Sequence, residues 1–526
     1  MTDDELVPFL DACAAAGVSV GDPDRSALPP ATVVPVAAAC WGEAAAVAQG
    51  RALRWCAFWA NPVSDGHEAF CVLEASGGYL VLRTRVAAGE RLASHAPRYP
   101  AADRPERHAH DLTGIELANA PDDRRWTRHQ AWSEHEFPLQ PDFPATPGPA
   151  RQTPPDTEYP FARARGHGIV EIPVGPVHAG IIEPGHFRFQ AVGESILNLE
   201  QRLGYVHKGI EKLAVGRDPI SLARLAGRVS GDSTVAHTWA ACQALERAAG
   251  LEVPPRVQWL RAIMAERERV ANHLGDIGAI CNDVGFAFAQ YQLTRIKEQL
   301  VRASEAAFGH RFMMDRIVPG GVACDLDAPR IDAMMLEVAE LSREAAEIVI
   351  RLEDSESLED RLMTTGRLAP DQAARLGVVG YVGRASGRAF DVRRHAPYAP
   401  YQRFSFAVPT YRAGDVAARA RIRAEEISES LGLIGELLRS LPDADRVRPF
   451  PPIGAPCEGL GIVEGWRGEI VTYVQLGPEG SITRFFPRDP SWLLWPALEL
   501  MIQDNIVPDF PVCNKSVNAS YSGHDL

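Results

Sequence analysis

At 526 residues, with 54 lysines and arginines against 68 aspartates and glutamates and a formal charge of -14, the chain exceeds one ordinary core and predicts two or three domains. The acidic balance argues against a non-specific phosphate-binding surface, so no nucleic-acid partner is expected. Nine scattered cysteines, never spaced as CxxC, exclude the pattern of a disulfide framework or zinc ribbon and read as free thiols in a reducing compartment.

The first stretch, MTDDELVPFLDACAAAG, is acidic and lacks the basic-then-apolar layout of an export signal. Residues 5–17 and 31–49 have alanine-rich helical character, whereas WCAFWA, AFCVLEA and YLVLRTRV between 55 and 86 read as strands. A small α/β domain is predicted over 1–136. Its last part, 97–132, carries Arg104, Glu106, Arg107, Asp111, Asp122 and Arg124 among others, which on charge alone reads as a solvated loop and helix. Eight prolines between Phe137 and Pro160 remove the backbone donors that helix or sheet would need, so 137–165 is predicted to be a semi-rigid linker.

Residues 166–526 form the predicted second domain. It opens on a small antiparallel sheet over 168–194 with a sharp Pro-Gly-His turn. Apolar residues then recur at three- and four-residue spacing near 194–203, 219–229, 234–249, 255–281, 287–308, 328–353, 370–376, 412–441 and 490–503, predicting helices. Short strands return at 459–466 and 469–476. The fold class expected is α+β: a small α/β domain followed by a mainly helical bundle with small peripheral sheets. Trp492 to Ile502 is the most apolar region near the end, about half of the ~20 residues a spanning helix needs. Membrane attachment is therefore expected only through partners.

Several constellations invite chemistry. Glu183, between a strand and a Pro-Gly turn, would pass protons if burial disfavoured its charge, or would face water and pair with Arg188. His178, His186, His207 and His237 lack the spacing of a metal-binding pair and read as structural. Glu266, Glu268, Arg269 and His273 lie on one predicted helix, as a polar stripe inside the bundle or as a solvated face. The GDS of GRVSGDSTVAH lacks the strand-turn-helix GxSxG setting of a serine hydrolase. No glycine run has the setting of a dinucleotide fingerprint.

The segments GPVHAGIIEPGHFRFQAVGESILNLEQRLGYVHKGIEKL (175–213), RVSGDSTVAH (228–237), RVANHLGDIGAICNDVGFAFA (269–289), IVEGWRGEIVTYV (462–474) and RDPSW (488–492) resemble the large subunit of energy-converting nickel-iron hydrogenases. They resemble equally the D subunit of complex I, the NADH-quinone oxidoreductase. ERHAHDLTGIELANAPDDRRWTRHQAWSEHEFPL (106–139) is similar to the complex I C subunit, which is fused ahead of the large subunit in several such complexes.

The resemblance implies residue roles and departs from them. Hydrogenases carry four nickel-binding cysteines, two of them shared with iron, at the positions of Ser230, Ser233, Ser520 and Gly523. Hydroxyls are poor donors for such a soft-metal site and glycine offers none, so no nickel-iron centre is expected, nor any other cofactor bound by this chain. A hydrogenase precursor is also trimmed beyond this tail after metal insertion, and a chain ending at Leu526 fits a site never loaded. The quinone-side histidine and tyrosine of complex I fall at Ile182 and Val229, leaving His178 or Ser230 as candidate quinone contacts. Glu183 matches the proton-moving glutamate of hydrogenases. His178, Arg228, His237, Glu464, Arg467, Arg488 and Asp489 are the expected polar shell of the cavity. The implied partners are an iron-sulfur small subunit and antiporter-like membrane subunits, and the implied place is peripheral, on the cytoplasmic face of the membrane. The implied function is a core subunit of a complex I-like or hydrogenase-related oxidoreductase, coupling electron transfer to ion translocation. A quinone-reducing subunit and a non-catalytic scaffold remain the alternatives.

Overall fold

The computed structural model describes residues 1–144, 158–178 and 182–526. The part of the expected linker that contains Pro147, Pro149, Pro154 and Pro155 lies outside them. Strands β1 (Asp24–Leu28), β2 (Ala31–Pro35), β3 (Arg54–Val63), β4 (Gly66–Ala75) and β5 (Gly78–Ala87) form a five-stranded sheet in the order β1-β2-β5-β4-β3, with only β2 and β5 parallel. Helices α1 (Asp3–Ala15) and α2 (Trp41–Gly50) cover one face through Phe9, Trp41, Trp55 and Phe58. Residues 31–35 are thus strand, not helix: the branched run TVV forms an inner strand, paired with β1 and β5, before the alanine-rich helix begins.

The other face of this sheet is buried too, which is why its long strands are apolar on both sides. Trp59 lies between Phe70, at 4.9 Å, and Tyr473 and Phe486, at 4.9 and 5.2 Å. The latter two belong to a C-terminal sheet of β13 (Cys457–Gly465), β14 (Gly468–Leu476) and β15 (Ile482–Arg488), with β14 in the middle. Helix α3 (Asp103–Thr113) lies between β6 (Arg91–Ala93) and β7 (Glu116–Ala118), which pair in parallel over three residues. Contrary to the solvated reading, Arg104, Glu106, Arg107, His108 and Asp111 are all buried. Their charges are used at the seam with the rest of the chain: Arg104 pairs with Glu499 at 2.6 Å and His108 with Glu211 at 2.7 Å.

Strands β8 (Ile169–Val174), β9 (His186–Val192) and β10 (Ser195–Arg202) form an antiparallel sheet in sequence order. Residues 194–203 were expected to be helical; they form β10 instead. The helix-like spacing of Ile196, Leu199 and Leu203 is produced by a bulge between Ile196 and Asn198, which lets alternate residues stay on the buried face. The bundle then takes α4 (Ile210–Ala214), α5 (Pro219–Ala226), α6 (Thr234–Ala248), α7 (Pro255–Asp283), α8 (Ala287–Phe308), α9 (Ala328–Glu353), α10 (Glu356–Leu362), α11 (Pro370–Arg375), α12 (Gly380–Ala385), α13 (Val392–His395) and α14 (Val416–Arg439), with a two-residue hairpin, β11 (Ile317–Val318) and β12 (Gly321–Val322), between α8 and α9. The 29-residue α7, opened by proline at its first turn, is the bundle's axis and packs on α6, α8 and α14. The end of the chain, α15 (Ser491–Met501), α16 (Phe510–Val517) and α17 (Tyr521–Asp525), folds back so that Leu526 is fully buried.

Two glycines allow close packing that the site depends on. At Gly461 an added Cβ would lie 1.9 Å from the Ala240 carbonyl oxygen, so only glycine lets α6 lie directly on β13. Gly523 is constrained less severely, against the Asp489 side chain.

Candidate functional site

A cleft of about 490 Å³ opens between the turn before β9, the Ser230–Asp232 corner before α6, and the tail from α16 to α17. Its aromatic wall is Phe187, Phe510 and Tyr521; its polar wall includes Ser230, Asp232, Arg467, Asn518 and Ser520. The two segments that resemble metal-binding pairs therefore meet, although they are far apart in sequence. The Ser230 and Ser520 hydroxyls are 2.8 Å apart and hydrogen-bonded. Ser230 also donates to Asp232 Oδ1 at 2.8 Å, and Ser520 Oγ accepts from the Gly523 amide at 2.9 Å. Arg467 clamps Asp232 with two parallel bonds of 2.7 and 2.6 Å, reaches Ser233 Oγ at 3.1 Å, and donates to the Asn518 carbonyl at 2.6 Å. Its guanidinium lies 4.0 Å from the Trp466 ring, so it is held on every side.

The donor set at this corner is three hydroxyls and a glycine, all engaged as described, and no thiolate. That set does not fit a nickel-iron group, which demands soft, deprotonated sulfur. At Gly523 the mismatch is also steric: an added Cβ would lie 2.6 Å from Asp489 Cγ and 2.7 Å from its Oδ2. Asp489 is buried completely, accepts from His237 Nε2 at 2.8 Å and from the Ser491 amide at 2.8 Å. Burial opposes its charge, but the His237 contact and nearby Arg467 hold the carboxyl well below the usual range.

Glu183 is exposed and reaches the tail: its carboxylate accepts from the Ser522 amide at 3.0 Å and from the Ser522 hydroxyl. It makes no pair with Arg188, which turns to Glu171 at 3.2 Å. His178 lines the cleft and contacts the Gly185 carbonyl at 2.8 Å through Nε2. Ile182 lies on the cleft wall, whereas Val229 is fully buried in the core behind Ser230. Three expected shell residues, Arg228, Arg488 and Glu464, are elsewhere. Arg228 is exposed and pairs with Asp315. Arg488 lies behind β14, where it and Arg54 of β3 grip Glu469 from two sides; Tyr79 adds a bond of 2.6 Å to the same carboxylate. This clamp joins the N-terminal sheet to the rest of the chain, so Arg488 braces the seam between the two sheets and not the cleft.

Glu464 also misses the cleft, by one turn. It sits at the end of β13 beside a cluster that sequence spacing did reveal in part. Glu266, Arg269 and His273 of α7 are buried, so the solvated-face reading fails. Arg393 binds Glu266 at 2.9 Å and Asp391 at 2.7 Å; Arg384 contacts Glu426 and reaches Glu464 at 3.2 Å; His273 Nε2 is 2.8 Å from Glu426. Glu426 comes from the helix predicted over 412–441, whereas Arg384, Asp391 and Arg393 come from a stretch for which spacing predicts no element. Among the described residues no group of three or more His, Cys, Asp or Glu side chains is arranged to hold a metal ion, and no helix is long and apolar enough to cross a membrane.

A helical bundle with a cleft between its long-helix corner and its own tail, carrying a fused α/β domain, defines a large subunit of the hydrogenase and complex I type. Family comparisons agree along the chain: the respiratory-chain NADH dehydrogenase 30 kDa subunit matches 34–148, nickel-dependent hydrogenase matches 208–275, and the respiratory-chain NADH dehydrogenase 49 kDa subunit matches 283–453. The carbon monoxide-induced hydrogenase of Rhodospirillum rubrum is 34% identical over 67% of this chain and 98% of its own length. Formate hydrogenlyase subunit 5 of Escherichia coli (strain K12) is 32% identical over 88% of this chain and 82% of its own. Among solved structures, a chain of the membrane-bound sulfane sulfur reductase, an archaeal respiratory membrane complex, superposes with a TM-score of 0.65 at 25% identity, covering 68% of this chain and 99% of that one. The chain belongs to the family that unites nickel-dependent hydrogenase large subunits with the 49 kDa subunit of respiratory-chain NADH dehydrogenase, here with a 30 kDa-subunit-like segment ahead of it.

Proposed function

We propose that this chain is the core subunit of a membrane-associated oxidoreductase complex that couples electron transfer at a partner iron-sulfur subunit to ion translocation, without a nickel-iron centre of its own. The observation that supports the reading is the cleft where Ser230 and Ser520 meet: the resemblance gives Ser230, Ser233, Ser520 and Gly523 as the four metal-ligand positions, and none of them carries a thiolate. The partners are a small iron-sulfur subunit and antiporter-like membrane proteins, and the chain sits peripherally on the cytoplasmic face.

Within the cleft, this chain's own residues bind and orient. The Arg467–Asp232 clamp fixes a preorganised polar wall, the aromatic wall excludes water, and Glu183 stands at the rim with its carboxylate on the tail backbone. That position suits a carboxylate that accepts a proton from solvent and hands it inward.

The test is to purify the chain with its companions from native membranes, identify them, and measure nickel and hydrogen-dependent dye reduction. Cluster-bearing and antiporter-like companions with neither nickel nor hydrogen activity are expected. Stoichiometric nickel with hydrogen-dependent reduction would overturn the reading.

The mutual bond of Ser230 and Ser520 supports a second reading, in which the cleft is closed on itself and the chain only holds the small subunit in place. Glu183→Gln separates the two: unchanged assembly and unchanged turnover of the complex favour the scaffold.

A further inference from the structure

The cluster behind the cleft has a charge imbalance. Four carboxyls, Glu266, Asp391, Glu426 and Glu464, face three guanidiniums, Arg269, Arg384 and Arg393, and all seven side chains are almost fully buried. The neighbouring Asp276–Arg423 pair, at 3.2 Å, is balanced within itself. On α6, which runs along β13, His237 is held by Asp489, Glu246 by Arg261, and Arg247 donates to the Leu460 carbonyl, so none of these supplies the missing positive charge. An uncompensated charge at this depth is costly, so the cluster requires one more proton than its arginines provide.

The four carboxyls do not compete equally for it. Glu266 receives Arg393, Arg269, Tyr401 and Ser430; Asp391 receives two bonds from Arg393; Glu426 receives Arg384 and His273. Glu464 has the poorest set, a single guanidinium contact at 3.2 Å on one oxygen and the Val392 amide at 3.1 Å on the other. We propose that Glu464 is a proton-binding site: it holds the one exchangeable proton that neutralises the cluster. Burial, followed by repulsion from Asp391, pushes its carboxyl up to about 7 against the pull of Arg384, Arg269 and Arg393. Burial lowers the basicity of His273 beside Glu426, so its ring does not supply the cluster's missing positive charge.

The site is joined to the cleft by chain continuity. Trp466 and Arg467 follow Glu464 in the turn between β13 and β14; the Trp466 ring contacts His273 at 6.0 Å and underlies the Arg467 guanidinium. A proton gained or lost at Glu464 therefore acts on the element that fixes the polar wall of the cleft.

Infrared difference spectra of the full-length chain, taken between about pH 6 and about pH 8, test the assignment. A protonated-carboxyl band is expected to fade as pH rises and to be missing from Glu464→Gln, while bands of Glu106 and Glu268, which burial pushes up to about 8, remain. Thermal midpoints give the second readout. A raised carboxyl stabilises the fold below its unfolded-state value and loses that contribution as pH rises through its folded-state value. The wild-type midpoint is thus expected to fall across this range, and Glu464→Gln, which mimics the protonated form, to fall less. An unchanged band pattern in Glu464→Gln overturns the proposal. So does failure of that variant to fold, which would mean that the carboxylate charge itself is needed.

Discussion

The cleft and the buried cluster lie on two sides of one turn, Glu464 to Gly468, and are held together by different physics. At the cleft corner the contacts are hydroxyl to hydroxyl, hydroxyl to carboxylate, and one clamp whose aspartate is partly exposed. Neutral bonds of this kind contribute about 1 kcal/mol each. In the cluster every partner is an ion or bonds to one, with almost no access to water, so removing one member strands another. The difference teaches where this fold tolerates change. Neutral hydroxyl contacts at the cleft corner are expected to tolerate substitution with little loss, whereas the ionic lattice behind them resists single changes.

The contrast is most sharply broken at the third charged site on the same hairpin, the Glu469 clamp. Glu469→Ala leaves Arg54 and Arg488 buried without their common partner, and about 3–5 kcal/mol of stability is expected to be lost, read from denaturant midpoints of the full chain. A pH titration probes the same carboxylate without mutation. Its pKa is depressed: burial opposes ionisation, but Arg54 and Arg488 lower it from 4.5 to about 2. Stability on the order of 3 kcal/mol is then present above the ordinary carboxylate range and lost as pH falls through the folded-state value. The acid arm of the unfolding curve should therefore shrink in Glu469→Gln relative to wild type.

Smaller effects are expected in the cleft. Gly523→Ala forces a methyl against Asp489 and should cost about 1–3 kcal/mol by overpacking, visible as a lowered thermal midpoint. Ser230→Ala removes one hydroxyl bridge and should cost about 1 kcal/mol; a loss as large as that of Glu469→Ala would erase the distinction between the regions. Glu183→Gln, at an exposed rim, should leave stability within about 0.5 kcal/mol. Turnover of the assembled complex is the readout that matters there, and a fall with unchanged assembly is expected.

The order of elements was largely legible in the sequence. The helical periodicity of α5 to α9 and α14 and the aromatic strands of the first sheet all appear where spacing predicted them. The failures have physical causes. A bulge gave β10 the spacing of a helix, and α3 looked solvated because its charges, though buried, have partners such as Glu211 and Glu499 far along the chain. The same blindness to distant pairing affected the site. The resemblance singled out Ser230, Ser520 and Arg467, Asp232 lies in the same motif as Ser230, and the fold joins all four. It could not tell that Arg488 and Glu464 belong to separate charged networks, because the arginines that define each, Arg54 through Glu469 and Arg384, come from segments far away in the chain. The role of Asp391, Arg393 and Glu426 was invisible until α13 and α14 brought them onto α7.

Gly523 also ties the tail to the strand end beside it. An added Cβ there would lie 2.6 Å from the Asp489 carboxyl carbon, and that carboxylate is itself locked by His237 and the Ser491 amide. A larger side chain fits at Gly523 only if Asp489 moves, and Asp489 can move only at the expense of its own anchors. The two residues can therefore change only together.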